Sequence, residues 1–404
     1  MEYFTCSSCG FSEPETGLTE RDRFCPECGA AMVGKEIRTG ETQVRDEIFL
    51  AEKEMPSPEP QYFRPEFTGS AGEYFRIWIV NTLLTILTLG IYAAWAKVRT
   101  RRYFYAHTLL SGHPFEYLAD PRAILRGNLI LAAGFFIYML TNAYEPFYNG
   151  LVVILFYLIF PFLVYKSLRF YAHNSAYRNI RFRFVGTAGD SYKTYLLIPL
   201  FLIPLTLGLI IPYWAFCRKK YFFDHMAFGT AENIFSGKVK PFYKYYFVAF
   251  FGLILLAGLG IGALPPFFRD LFQTGQGNPF PTSLFVFAMA IYFLMLIIFA
   301  IAQQYLYTRV TNYCWANSRL GSVSFQSTLE AQDLLWIRLT NMVAIIFSMG
   351  LLIPWAKVRR TRYILENLTV ISHAGLDDFA AGAEPETSAV GDSATDFFDI
   401  EIGL

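Results

Sequence analysis

At 404 residues, 54% of them hydrophobic and only 17% charged, the chain is poorer in charge than an ordinary soluble domain, where about a quarter of residues are charged. Charge-free runs at 151–165, 245–266 and 279–308 exclude a soluble core as the reason for this richness, because several helices would have to be hydrophobic all round. The net charge of +1 hides a segregation of cations after apolar runs and acids towards the two tails, which excludes a continuous basic face for nucleic acid.

The first residues are polar and lack the apolar core of a signal peptide, so insertion is expected to begin with an internal segment. Residues 1–34 carry two knuckles, Cys6-Ser7-Ser8-Cys9-Gly10 and Cys25-Pro26-Glu27-Cys28-Gly29. Two CxxC pairs at this separation can place four thiolates around one Zn2+ ion, and the arrangement resembles the zinc ribbon family. With Cys6, Cys9, Cys25 and Cys28 filling all four positions, the expected ion is structural, and thiolates of this kind suit the reducing cytosol. Residues 35–63 read as a charged, proline-punctuated linker.

The expected membrane domain covers 64–376. Arg64-Pro65-Glu66-Phe67-Thr68-Gly69-Ser70-Ala71-Gly72-Glu73 opens it and returns as Arg181 to Asp190, each copy placing an acid where a helix N-terminus can accept it. Seven apolar segments follow, near 74–95, 123–142, 147–168, 192–214, 243–264, 281–306 and 335–356. The first, fourth and seventh end in a shared motif of glycine, tryptophan, cations and tyrosine. Its members are Gly90, Trp95, Arg99, Arg102 and Tyr103; Gly208, Trp214, Arg218 and Tyr221; and Gly350, Trp355, Arg359, Arg362 and Tyr363. The middle copy has one extra residue before its tryptophan and one fewer after it. The fold class expected from this pattern is an all-α polytopic membrane protein with internally repeated segments and a small zinc ribbon. Residues 377–404 are acidic, contain no lysine or arginine, and have the composition of disorder.

His107, His225 and Asn367 share the position 17 after the motif glycine. A titrating role is one reading of the histidines, and hydrogen bonding between helices is the other. A metal held by His107, His173 and His225 finds no support in the spacing. Asn81 and Asn341, rare polar residues inside apolar segments, are candidates for lining a path.

Basic residues flank both ends of the motif-bearing segments, which conflicts with seven simple crossings, since such residues favour the cytoplasm. Either seven segments cross, or four cross while the first, fourth and seventh turn at their Leu-Gly or Met-Gly step and return. The second topology keeps the zinc ribbon, the acidic tail and every basic cluster cytoplasmic.

The threefold Gly-x4-Trp-Ala-Lys-Val-Arg followed by Arg-Tyr, with Phe67-Thr68-Gly69 and its echo, resembles the YjgN family of bacterial multi-pass inner-membrane proteins. The resemblance covers about 64–376; the middle copy, with Tyr213-Trp214-Ala215-Phe216-Cys217-Arg218, departs from the pattern. It implies a bacterial inner-membrane location and no catalytic residue, substrate or cofactor. No phosphate or dinucleotide loop points to an enzyme. The remaining readings are a transporter or channel for a small solute, anions among the candidates, or a non-catalytic scaffold that binds partners through its ribbon and tails. The bilayer is the expected partner in both, a protein partner in the second, and nucleic acid in neither; the sequence is silent on oligomeric state.

Overall fold

A computed structural model describes residues 24, 30, 59–144, 147–259 and 288–372 with their side chains, and 2–6, 12–14, 32–36, 146, 260–273 and 282–287 as backbone. The chain divides after Glu59 into two compact units. The first contains three antiparallel strands, β1 (Glu2–Cys6), β2 (Ser12–Pro14) and β3 (Met32–Glu36), in the order β2-β1-β3. Cys6 ends β1 and pairs in register with Met32. Cys9, Cys25, Cys28, most of the expected linker and the acidic tail lie outside the described residues.

The second unit is not all-α. Eleven short strands form one antiparallel sheet that runs through the membrane domain: β4 (Gln61–Phe63), β5 (Glu66–Phe67), β6 (Thr108–Leu110), β7 (His113–Tyr117), β8 (Ser175–Tyr177), β9 (Ile180–Phe184), β10 (Met226–Phe228), β11 (Ala231–Phe235), β12 (Ser318–Leu320), β13 (Val323–Ser327) and β14 (Leu368–Ser372). This overturns the expected fold class. Strands of two to five residues are too short to print an alternating pattern, and they fall in stretches that read as loops between apolar segments.

From β5 to β14, consecutive strands are joined alternately by a helical hairpin and by a tight turn, while β4 pairs with β14 from the far end of the domain. The tight turns at Ser111-Gly112 and Arg178-Asn179 place both residues at positive φ, the geometry that matches the twist of two paired strands. Hairpin 1 is α1 (Ala71–Leu87) and α2 (Ala93–Ala106), and hairpin 2 is α3 (Pro121–Tyr144) and α4 (Pro146–His173). Hairpin 3 begins as α5 (Ala188–Tyr192), continues π-helically over Lys193–Leu202 into α6 (Ile203–Leu205), and returns as α7 (Ile211–Asp224). Hairpin 4 is α8 (Val239–Gln273) and α9 (Thr282–Ala316); hairpin 5 is α10 (Ala331–Phe347) and α11 (Ile353–Glu366). The segments read as single are therefore short hairpins, alternating with two long ones. Among the described residues four helices are long and apolar enough to cross a membrane, Pro121–Tyr144, Phe147–His173, Val239–Leu259 and Ala288–Ala316, and all belong to hairpins 2 and 4.

Because neighbouring strands alternate in direction, all five helical hairpins leave one rim of the sheet and all the tight turns lie on the other. The sheet order begins at β4 and ends at β5, yet these two strands are separated only by Arg64-Pro65. At about 3.5 Å per residue, that connection brings the two edges of the curled sheet to within roughly 10 Å of each other. The helices close the same circle. Arg102 Nη2 of hairpin 1 donates to the Ala119 carbonyl at the start of hairpin 2, and Arg362 Nη2 of hairpin 5 donates to the Gly69 carbonyl at the start of hairpin 1, both at 3.1 Å.

The concave side of the sheet is packed. Leu110, Tyr177, Ile180, Phe228, Val323 and Val370 come from strands far apart in the order and form one buried cluster, with Phe63, Phe115, Phe182, Leu320 and Phe325 against it. Alternate residues such as Arg181, Glu232 and Gln326 take the opposite face.

Candidate membrane-insertion site

The three motif glycines lie at the tips of hairpins 1, 3 and 5. Leu89, Leu207 and Met349 adopt left-handed φ of 50°, 48° and 50°, followed by Gly90, Gly208 and Gly350 at 92°, 86° and 93°. Each tip carries the two bonds of a Schellman motif: Gly90 N donates to Thr85 O and Leu89 N to Ile86 O, Gly208 N to Ile203 O and Leu207 N to Pro204 O, and Gly350 N to Ile345 O and Met349 N to Ile346 O. Thr88 Oγ1 and Ser348 Oγ then accept from the amides of Tyr92 and Leu352, at 2.9 and 3.0 Å. Every amide from Thr88 to Ala93 and from Ser348 to Ile353 thus donates within its own hairpin. The first left-handed position is ordinarily glycine or asparagine, since another side chain there costs about 1 kcal/mol or more. Here it is Leu, Leu and Met, whose side chains are 94%, 94% and 96% exposed.

Below the tips the two arms are clamped. Asn81 Nδ2 donates to Ala96 O (3.4 Å) and Asn341 Nδ2 to Ala356 O (3.2 Å), so both asparagines hold one arm to the other and are buried in doing so. In hairpin 3 the corresponding position is Pro199, inside the π-helical stretch. Proline lacks the amide that would reach the carbonyl five residues back, that of Thr194, and Trp214 Nε1 from the facing arm donates to it instead at 2.8 Å.

The motif cations follow the tryptophans. Arg218 stacks on Trp214 with 4.3 Å to the ring centre and Arg359 on Trp355 with 5.2 Å. Arg359 Nη1 also donates to Thr340 Oγ1 (2.6 Å) and Asn341 Oδ1 (3.3 Å). In hairpin 1 Asn81 Oδ1 has no hydrogen-bond partner, Arg99 is exposed, and Trp95 lies near Tyr92, 6.1 Å between ring centres.

At the base, the closing tyrosines tie the end of each short hairpin to its beginning. Tyr103 OH accepts from Ser70 N (2.9 Å) and lies 3.2 Å from Glu73 Oε2; Tyr221 OH donates to Thr187 O; Tyr363 OH accepts from Glu330 N and donates to Asp333 Oδ2. Hydrogen bonds from Ser70 and from Tyr103 hold the Glu73 carboxyl below its ordinary range. The position-17 residues are helix caps: His107 Nδ1 lies 2.8 Å from Tyr103 O, His225 Nδ1 2.8 Å from Tyr221 O, and Asn367 Nδ2 donates to Tyr363 O at 2.8 Å. Asn174 and Asn317 do the same for the long hairpins, donating to Phe170 O and Tyr313 O. The residue just after each incoming strand or strand end, Thr68, Leu118, Val185, Ser236 or Thr328, donates its amide to the carbonyl of the corresponding cap residue.

Three residues of the motif escaped sequence reading, Thr88, Thr206 and Ser348, although a hydroxyl two before each motif glycine was there to be seen. Asn174 and Asn317 escaped as well; the signal was an Asn or His followed within a few residues by a two-residue turn. His107, His173 and His225 do not converge, His173 Nε2 lying 2.9 Å from Arg181 Nη1, and no group of three His, Cys, Asp or Glu side chains gathers among the described residues.

A ring of apolar helical hairpins carried on one rim of a curled antiparallel sheet, four of its helices long enough to cross a bilayer, is a polytopic membrane protein. Residues 63–397 match a family described as bacterial protein of unknown function (DUF898), and the chain belongs to that family. It is 28% identical to the inner membrane protein YjgN of Salmonella typhimurium over 347 residues, which cover 75% of this chain and 87% of the relative. To the YjgN of Escherichia coli K12 it is 34% identical over 124 residues, 29% of this chain and 30% of the relative. No solved structure matches.

Proposed function

We propose that this inner-membrane protein is a non-transporting scaffold whose hairpin ring anchors a cytoplasmic platform. The observation that carries the reading is the packed concave face of the sheet, together with Asn81 and Asn341 bonded to backbone rather than directed at a path. The five hairpins, each ended by an Asn or His cap and closed by the same amide-to-cap bond, favour an internal repeat built for shape. Reconstituted protein is expected to give no flux above protein-free vesicles across a panel of small anions. Saturable, protein-dependent flux of any of them would replace the scaffold with a transporter.

The platform side is taken as cytoplasmic because Arg101, Arg122, Lys220 and Lys240 lie near the sheet ends of their helices. Its first unit is proposed to be a zinc ribbon held by Cys6, Cys9, Cys25 and Cys28, with β1 and β3 as the strands that carry it. Metal analysis of the full chain should return one zinc, lost in Cys25→Ser. In-cell photocrosslinking from this unit should then give a discrete protein adduct that the same variant abolishes; zinc without any adduct would leave a metal module with no scaffold role.

A further inference from the structure

We propose that hairpins 1, 3 and 5 are half-depth wedges that enter one and the same leaflet, with Leu89, Leu207 and Met349 among the acyl chains near the bilayer midplane. The partner is an anionic phospholipid leaflet, and the inference stands apart from the scaffold reading.

All five hairpins start from one rim, so their lengths compare directly. The arms of hairpins 1 and 5 have 17 and 14 residues, a mean reach of about 23 Å, whereas those of hairpin 2 have 24 and 28, a mean reach of about 39 Å. The difference is close to half of a hydrocarbon core about 30 Å thick. The cations give the same depth from the other direction. Arg99 and Arg359 follow their motif glycines by nine residues and Arg218 by ten, which puts them about 14 Å behind the tip, with the tryptophans between. Guanidinium groups at headgroup level therefore place the tips near the midplane, and an anionic surface suits three such groups.

Hydrocarbon at that depth demands that the backbone satisfy itself, and the tip amides of hairpins 1 and 5 do so throughout. It also explains why the left-handed position holds an apolar side chain where glycine is easier: Leu87, Leu205 and Phe347 continue the exposed apolar surface down each arm. A soluble tip would have no use for three such residues, and a channel lining would face them inward.

The test places a fluorescent non-canonical residue at 89, 207 or 349 of the full chain. The protein is reconstituted in phosphatidylethanolamine–phosphatidylglycerol vesicles whose lipids carry bromine at graded acyl depths. Bromines near the chain ends should quench all three positions several-fold more than bromines near the headgroup, and aqueous iodide should have little effect. The same series at Leu87, Leu205 and Phe347, the last helical residue before each tip, guards against a disturbed turn and should give slightly shallower depths. Strongest quenching by shallow bromines or by iodide overturns the proposal. So does quenching by neither, which would mean that protein, from a second copy or another chain, covers the tips.

Discussion

Hairpins 1 and 5 and hairpin 3 reach the same shape by opposite locks. In the outer two an asparagine on the first arm donates to a backbone carbonyl on the second; in the middle one a tryptophan on the second arm donates to a backbone carbonyl on the first. One change entails the other. Proline in the asparagine position leaves the Thr194 carbonyl without its amide, and the extra residue before Trp214 turns that side chain about 100° around its helix, towards the vacant carbonyl. The tryptophan is conserved in type between these hairpins of one chain while its task differs, which a motif alone does not reveal.

That contrast can be broken at three places. The largest effect is expected for Trp214→Phe, which leaves Thr194 O buried without a donor and should cost about 1–3 kcal/mol. Trp95→Phe and Trp355→Phe, which lose no such bond, should stay within about 0.5 kcal/mol. Thermal unfolding of the three variants in one detergent measures the difference. Next come the asparagines. Asn341→Leu removes the clamp and the acceptor of Arg359 and should cost about 1–2 kcal/mol. Asn81→Leu removes a longer bond and also an unpartnered buried oxygen, so its cost should be near zero. A double-mutant cycle should find coupling between Asn341 and Arg359 and none between Asn81 and Arg99. The smallest effect belongs to the base of the hairpins. His107→Asn and His225→Asn should be neutral within about 0.5 kcal/mol, because asparagine already caps the other three; the alanine variants should melt measurably lower.

Much of the helical layer was legible. Long charge-free runs marked hairpins 2 and 4, and a glycine between apolar residue and tryptophan marked the three breaks. The sheet was not, because β5 has two residues and none of the others more than five; β5 to β14 pair across a hairpin of tens of residues or a turn of two, and β4 pairs with β14 from the other end of the domain. Ser111-Gly112 and Arg178-Asn179 were its visible traces. The candidate site was half legible: positions 107, 225 and 367 stood out as equivalent, but their role as caps needed Asn174 and Asn317, which sit outside the glycine-tryptophan motif. Asn81 and Asn341 looked like a polar path because a sequence shows that a polar residue is buried in apolar surroundings without showing which carbonyl it meets.

The break at Arg64-Pro65 sets a timetable for synthesis. β5 can pair with β6 as soon as hairpin 1 has formed, but β4, a few residues earlier, pairs only with β14, the last strand of the sheet. Arg362 and Gly69, whose bond joins hairpin 5 to hairpin 1, stand 293 residues apart. Closure of the circle therefore waits for β14, and until that strand has been made β4 and the edge it completes stay open.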